Sequence, residues 1–175
     1  KIRPTPLPIH SRDEELIIAF PNFLTSFEPT TYTVSNRSRL VNIYEALVRM
    51  DENLRVEPAL AKSWGFIDDF TYEFRLRDTV KFHNGKILTS QDVKASFDRA
   101  KEYVNSEVSS FVQNIKEFQI IDSSTFRIIT ENPDPLFLQK LTALFIFPEN
   151  ALDDIETRPI GSGAYSFFRY DDTTG

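Results

Sequence analysis

The chain has 175 residues, which is long enough for one substantial hydrophobic core. A hydrophobic fraction of 41% and a charged fraction of 26% are typical of a globular protein, whereas a formal net charge of −6 argues against nonspecific nucleic-acid binding, which needs a basic face. The absence of cysteine excludes disulfides, thiolate metal sites and cysteine nucleophiles. Because no run of about 18 apolar residues is present, any membrane association is expected only through an anchor outside this chain.

The N-terminal region divides into three predicted segments. Residues 1–13 are rich in proline and polar groups and predict an extended leader or linker. The chain opens on Lys1 without a signal-like apolar segment, so we expect a processed protein or an excised piece of a longer one. Residues 14–20 predict a buried strand, and residues 21–36 a long loop whose aromatic rings and hydroxyl groups suit a small polar ligand. The alternative for this loop is a surface segment with its rings packed inward.

Two helices and a strand are predicted next. Apolar residues at helical spacing predict a helix over 37–50, and proline at a first helical turn predicts a short helix after Pro58. Residues 70–77 alternate between apolar and polar types, which is typical of a half-buried antiparallel strand. The buried face of this strand is expected to carry Phe70, Tyr72, Phe74 and Leu76.

The stretch KFHNGKILTSQDVKASFDRA, residues 81–100, predicts a strand end, a tight turn and a helix. Its first residues are expected to continue the sheet, and Asn84-Gly85 supplies the left-handed backbone that a tight turn needs. Thr89 or Ser90 is expected to cap the helix. The apolar stripe of that helix is predicted to consist of Val93, Phe97, Ala100 and Val104.

The remaining segments predict a hairpin, a helix and a turn. Residues 117–131 predict a hairpin that turns at Asp122, and residues 132–144 a helix started by proline. Residues 159–165 predict a glycine-rich turn that leads into a strand. This order of hairpins and helices predicts a mixed α/β (α+β) fold.

Few side chains suggest catalysis or metal binding. The chain has only two histidines, His10 and His83, and no HExxH spacing, so we expect no metal site and a turn-stabilising role for His83. Adjacent carboxylates such as Asp68 and Asp69 fall in turns, where a glycosidase pair is the minor alternative to solvated residues. No GxSxG motif and no complete dinucleotide fingerprint are present. We therefore expect no enzyme activity, no catalytic residue and no cofactor.

Several motifs in a fixed order carry a resemblance to one family. They are SFEPTTYTVSNRSRLVNIYEALVRM, EPALAKSW, LRDTVKFHNG and RPIGSGAYSF. Over roughly residues 14–175 the chain resembles the extracytoplasmic solute-binding proteins of peptide- and nickel-type ABC importers, bacterial extracellular solute-binding family 5. The resemblance implies a periplasmic-binding-protein type II-like fold, in which the segment around His83 is scaffold.

The resemblance also implies a division of the chain. Residues 14–42 and 158–175 would belong to a partial first lobe, and residues 43–157 would form an accessory domain inserted into it. The second lobe, which in the family carries most side-chain pockets, is expected to be absent. By itself the chain is then expected to bind family ligands weakly or not at all.

In the family, the loop after the first strand lends backbone groups to an extended peptide, and the glycine-rich turn lies near the crossover between domains. By this correspondence the expected ligand-binding residues are Thr31, Tyr32, Thr33, Val34, Gly161, Gly163 and Tyr165. Two positions depart from the family pattern, since Glu28 stands where Asp is usual and Ala164 where Pro is usual. Residues 141–150 lack the arginine of nickel-type members, which disfavours a nickel chelate.

The resemblance implies a substrate-binding component of an ABC importer, expected to be a lipoprotein, that binds oligopeptides or dipeptides at the periplasmic or extracellular face of the cytoplasmic membrane. Expected partners are a peptide or another small solute and the permease subunits, with no nucleic acid. The alternatives are a ligand-sensing domain of a regulator or receptor with the same fold, and nickel-chelate binding. From residue chemistry alone, a hydrolase with an acidic pair is the third hypothesis.

Overall fold

The computed structural model describes residues 26–31, 33–103 and 106–169. Helices and strands are mixed along this part of the chain, and all its paired strands run antiparallel. In chain order the elements are α1 (Val34–Leu40), β1 (Glu45–Ala46), β2 (Val48–Met50), β3 (Val56–Pro58), β4 (Ala61–Phe66), β5 (Thr71–Leu76), α2 (Ser90–Glu102), α3 (Glu107–Val112), β6 (Ile115–Ile120), β7 (Thr125–Thr130), α4 (Phe137–Leu141), β8 (Phe145–Ile146) and a 3₁₀ turn (Glu149–Ala151). The predicted fold class is confirmed.

A four-stranded sheet in the order β4-β5-β7-β6 lies at the larger hydrophobic core. Strand β5 confirms the predicted strand with Tyr72, Phe74 and Leu76 buried, whereas Phe70 lies outside β5 and is 42% exposed. Strands β6 and β7 confirm the predicted hairpin. The hairpin turn is held by the Ser124 N–H, which donates to Asp122 Oδ1 at 2.7 Å. Alternate side chains of β5 and β7 face inward, where the rings of Phe74 and Phe126 stack with centroids 5.3 Å apart.

Helix α2 packs against this sheet and is capped by Thr89, the first of the two predicted candidates. The fully buried carboxylate of Asp92 accepts hydrogen bonds from the Thr89 N–H at 3.0 Å and the Glu149 N–H at 2.9 Å, and it pairs with Lys86. A carboxylate in the first helical turn also complements the positive end of the helix dipole. Val93, Phe97 and Ala100 are buried as predicted, and Val104 lies outside the described residues.

The predicted helix over 37–50 is wrong beyond its first turn. Helix α1 ends at Leu40, and the chain then enters β1, which pairs with β8, and β2, which pairs with β3. Long-range strand pairing satisfies the backbone groups that a helix would have satisfied locally. The apolar residues behind the prediction are buried all the same, because Tyr44 belongs to one hydrophobic cluster and Leu47 to the other.

Four further boundaries differ from the predictions. No helix follows Pro58, because the Leu60 N–H donates to Ala46 O at 3.2 Å and the segment becomes β4. Residues 81–83 make only an isolated bridge at Lys81, since the next turn folds them back on Ile87. The helix over 132–144 shrinks to α4, and no strand forms between the glycine-rich turn and residue 169.

A smaller hydrophobic cluster lies beside the main core and consists of Leu40, Tyr44, Phe145, Phe147 and Ile155. It joins the end of α1 to β8 and to the segment that precedes the glycine-rich turn. The predicted linker at 1–13 and the predicted strand at 14–20 lie outside the described residues.

Candidate functional site

The glycine-rich turn lies directly on the backbone that follows α1. The Gly163 N–H donates to Ile43 O at 2.8 Å, and the Tyr165 N–H donates to Asn42 O at 3.0 Å. A Cβ atom on Gly161 would come within 2.0 Å of Ile43 O, and one on Gly163 within 2.5 Å of Asn42 O. Both glycines are therefore required by close backbone approach, which is the reason for the G-x-G spacing here.

His83 joins the 82–86 turn to the glycine-rich turn. Its backbone N–H donates to Gly161 O at 2.8 Å, and its ring Nδ1 accepts from the Gly161 N–H at 3.3 Å. Because Nδ1 accepts, the ring proton lies on Nε2, which donates to Gly163 O at 2.9 Å. Gly85 has the left-handed φ of 84° that the tight turn needs. His83 thus has a scaffold role, as predicted, and its hydrogen-bond partner Gly163 lies about 80 residues away in the sequence.

The loop before α1 is held by a buried ion pair. Glu28 is fully buried, and its Oε2 accepts from Arg99 Nη2 at 2.8 Å. Its other oxygen accepts from the Thr30 hydroxyl at 2.6 Å and the Thr30 N–H at 3.1 Å. The hydrogen bond that Arg99 donates to Glu28 raises the pKa of the Arg99 guanidinium, so the guanidinium stays charged. The Glu28 carboxylate thus connects the loop before α1 to α2.

Tyr44 connects the loop with the glycine-rich turn. Its ring stacks on Phe145 at 5.9 Å between centroids and lies against the space where a Gly161 side chain would be. Its hydroxyl is buried and makes no hydrogen bond. Burial, and secondarily the negative charge of Glu28, raises the pKa of this hydroxyl well above its ordinary value.

The predicted ligand residues lie on two segments, residues 31–34 and 161–165, and residues that flank these segments contact each other. The ring of Phe27, on the loop, meets the ring of Phe167 edge-on with centroids 4.8 Å apart. Thr33 caps α1 by accepting from the Asn36 N–H at 3.2 Å, and Val34 is the first residue of that helix. The Thr31 N–H donates to Glu28 O, the Tyr165 side chain is 51% exposed, and Tyr32 lies outside the described residues. The proximity of Phe27 to Phe167 was not evident from the sequence.

Of the adjacent carboxylates that raised the hypothesis of an acidic pair, Asp68 serves as a turn acceptor. Asp68 accepts from the Phe70 N–H at 2.9 Å and from the Thr71 hydroxyl at 3.1 Å, and the first of these bonds lowers the pKa of its carboxyl. Over residues 26–31, 33–103 and 106–169, no three His, Asp or Glu side chains converge on a point where they could hold a metal ion. In the same part of the chain, no helix has both the length and the apolar composition needed to cross a bilayer.

Sequence reasoning missed Arg37, which extends from α1 to the end of α4. Its guanidinium donates to Ala143 O at 3.0 Å and to Thr142 O, and it lies 4.8 Å from the centroid of the Phe145 ring. The segment after α4 lacks an arginine of its own, but the fold supplies one from a residue about 105 positions away. No local sequence pattern signals such a contact.

Comparison with known proteins gives the family. Residues 55–174 match the bacterial extracellular solute-binding proteins, family 5, middle region. A Brucella ovis protein with the provisional name ABC transporter peptide-binding protein is 32% identical over 162 residues, which are 85% of this chain and 30% of that protein.

Two solved structures have similar folds. One is NikZ from Campylobacter jejuni in complex with Ni(L-His), with a TM-score of 0.79 and 29% identity over 86% of this chain and 32% of that one. The other is DppA from Helicobacter pylori in complex with the peptide STSA, with a TM-score of 0.73 and 27% identity over 84% of this chain and 35% of that one. The chain spans about a third of the length of these relatives. It belongs to the bacterial extracellular solute-binding proteins of family 5.

Proposed function

We propose that this chain is part of the substrate-binding component of an ABC importer, and that the ligand is an oligopeptide or a dipeptide. The observation that carries the proposal is the family match over residues 55–174. The name of the Brucella ovis relative and the STSA peptide bound to the Helicobacter pylori protein support a peptide ligand. Such a component works at the periplasmic or extracellular face of the cytoplasmic membrane and delivers its ligand to permease subunits.

In this proposal the chain supplies one wall of a cleft. Residues 14–42 and 158–175 contribute to the first lobe, residues 43–157 form the inserted accessory domain, and a second lobe outside this chain closes over the ligand. Main-chain groups of residues 31–34 hydrogen-bond to the peptide backbone. The turn at Gly161 and Gly163, whose N–H groups already donate to His83 and Ile43, lies near the crossover between the domains and presents the exposed Tyr165 to the ligand. Recognition of main-chain atoms suits ligands of varied sequence.

The contacts around the glycine-rich turn support this arrangement. His83, Ile43 and Asn42 hold the turn at both ends, so its position is fixed before a ligand arrives. A preorganised wall loses less conformational freedom on binding, which favours affinity.

A second candidate ligand is a nickel chelate with a histidine-like organic ligand. The observation that favours it is the likeness to the Campylobacter jejuni protein in complex with Ni(L-His). Arg37, which reaches the segment after α4, supplies a cation where the local sequence has none.

The test is calorimetric titration of this chain, and of a longer protein of the relatives' length, with di- to hexapeptides and with Ni²⁺–histidine. Peptide binding by the longer protein, together with weak or no binding by this chain, is the expected result. If the longer protein binds Ni²⁺–histidine and none of the peptides, the ligand is the nickel chelate and the peptide part of the proposal is wrong. A longer protein that binds neither ligand class would refute the proposal.

A further inference from the structure

A groove lies between α4 and strand β2, and none of the predicted ligand residues lines it. Its volume of roughly 530 Å³ is in the range of small-molecule sites. Its described lining residues are Arg37, Arg49, Met50, Phe111, Leu136, Gln139, Lys140, Thr142 and Ala143. These residues come from α1, β2, α3, α4 and the α4–β8 connection, so the groove exists only in the folded protein.

The charges of the groove are of one sign. Arg37, Arg49 and Lys140 line it, and no acidic side chain is among its described lining residues, although the chain as a whole has a formal net charge of −6. Arg49 pairs with Glu57 at 2.6 Å, and Lys140 pairs with Asp134 at 2.6 Å. The Arg49 side chain is 70% exposed, and an exposed pair of this kind holds its partners weakly. Arg49 is therefore able to turn toward an anionic ligand.

The rest of the groove offers an apolar wall and one unused acceptor. Met50 is 41% exposed and Leu136 is 59% exposed, which is high for apolar side chains that border a cavity. Gln139 Oε1 is buried without a hydrogen-bond partner. A buried acceptor without a donor is costly, and an amide N–H would satisfy it.

We propose that this groove binds the carboxyl-terminal end of a short peptide. The terminal carboxylate pairs with Arg49 beside Arg37 and Lys140. The last peptide N–H donates to Gln139 Oε1 when the Gln139 side chain turns this buried atom toward the groove. An apolar last side chain packs against Met50 and Leu136. Charge complementarity selects a carboxylate, and the unused acceptor selects an amide. The inference rests on the proposed function for its peptide class, while the described lining residues of the groove all lie in this chain.

The test is an NMR titration of the whole chain with N-acetyl-L-leucine, which carries the carboxylate, the amide and an apolar side chain. The matched probe N-acetyl-L-leucinamide lacks the carboxylate. We expect the acid to shift the backbone amide signals of Met50, Leu136 and Gln139, and the amide to bind about tenfold more weakly. Higher salt should lower the affinity for the acid and leave the affinity for the amide unchanged.

Two variants locate the charge. Arg49→Gln should reduce the affinity for the acid about tenfold, because it removes one charge-assisted contact at an exposed position. Arg75→Gln is the matched control, because Arg75 is also exposed and pairs with an acidic residue but lines no part of this groove. Each of four results would overturn the inference. The acid and the amide could bind equally, neither could bind, the signal shifts could be confined to other residues, or the two variants could have equal effects.

Failure of this inference is separable from failure of the proposed function. If Arg49→Gln leaves the peptide affinity of the longer protein unchanged, the protein binds peptides but the groove takes no part in that binding. If the longer protein binds neither peptides nor the chelate, the proposed function is refuted, whether or not N-acetyl-L-leucine binds in the groove.

Discussion

Replacement of Gly161 by alanine tests the packing at the centre of the candidate site. The new Cβ would lie 2.0 Å from Ile43 O and 2.8 Å from Tyr44 Cδ1, and neither a backbone carbonyl nor a buried ring can yield easily. The φ angle of Gly161 is open to any residue, so the effect is steric and does not come from backbone strain. The glycine-rich turn must therefore move away from the backbone at 43–44.

The magnitude follows from the hydrogen bonds that this movement breaks. The bonds at risk are Gly163 N–H to Ile43 O, His83 N–H to Gly161 O, and the two bonds of the His83 ring. At roughly 0.5–1.5 kcal/mol net for each, loss of about three costs roughly 2–4 kcal/mol. This is a large part of the roughly 5–15 kcal/mol that stabilises a typical protein. The melting temperature should fall by roughly 5–15 °C.

The assay is urea unfolding followed by circular dichroism, with Gly65→Ala as the matched control. Gly65 lies in β4, and a Cβ atom there would meet no atom within 4 Å. We expect a lower midpoint with an unchanged slope for Gly161→Ala, and a midpoint equal to or slightly above that of the wild type for the control. If Gly161→Ala lost less than about 0.5 kcal/mol, the close approach of the turn to residue 43 would be refuted.

Three further substitutions test the buried polar groups. Tyr44→Phe removes a buried hydroxyl without a partner and should match or exceed wild-type stability at pH 7. Because burial raises the folded-state pKa of Tyr44, the stability that its neutral form contributes is complete below about pH 10 and is lost above it; the advantage of Tyr44→Phe should therefore grow in urea titrations toward pH 11. Asp92→Asn should cost about 2–4 kcal/mol in the same assay, whereas Asp98→Asn, at an exposed helical pair, should cost less than about 0.5 kcal/mol. Arg99→Met should cost about 3 kcal/mol because it leaves the buried Glu28 side chain without its cationic partner, and Glu28→Gln in the same chain should restore part of that stability. If stability is not restored, the ion pair is contradicted.

Short-range patterns in the sequence predicted much of the fold. The hairpin of β6 and β7, the cap of α2 and the left-handed turn at Gly85 all depend on residues within a few positions of one another. The helix expected over 37–50 failed for the opposite reason, since the partners that make its second half extended lie in β3 and β8. The helical spacing of its apolar residues predicted their burial correctly but their conformation wrongly. Tyr44 and Leu47 are buried in two different hydrophobic clusters, which an extended segment can reach as well as a helix.

The candidate site was predictable in its parts but not in its assembly. The glycines at 161 and 163 and the scaffold role of His83 followed from motif and turn chemistry. The contacts that join them connect positions about 80 residues apart, and the Glu28–Arg99 pair spans about 71 residues. No single-sequence pattern encodes such distances. The division into lobe and accessory domain, and the assignment of ligand residues, stay predictions.

The frame of the site and the groove beside α4 depend on different kinds of atoms. The glycine-rich turn is held through backbone atoms at 42, 43, 161, 163 and 165, with His83 as the side-chain contributor, and the exposed Ala164 takes no part in those bonds. Arg49, Met50 and Leu136 are exposed groove residues that take no part in those backbone contacts. Substitutions among them are expected to change which ligand is preferred while the frame stays folded.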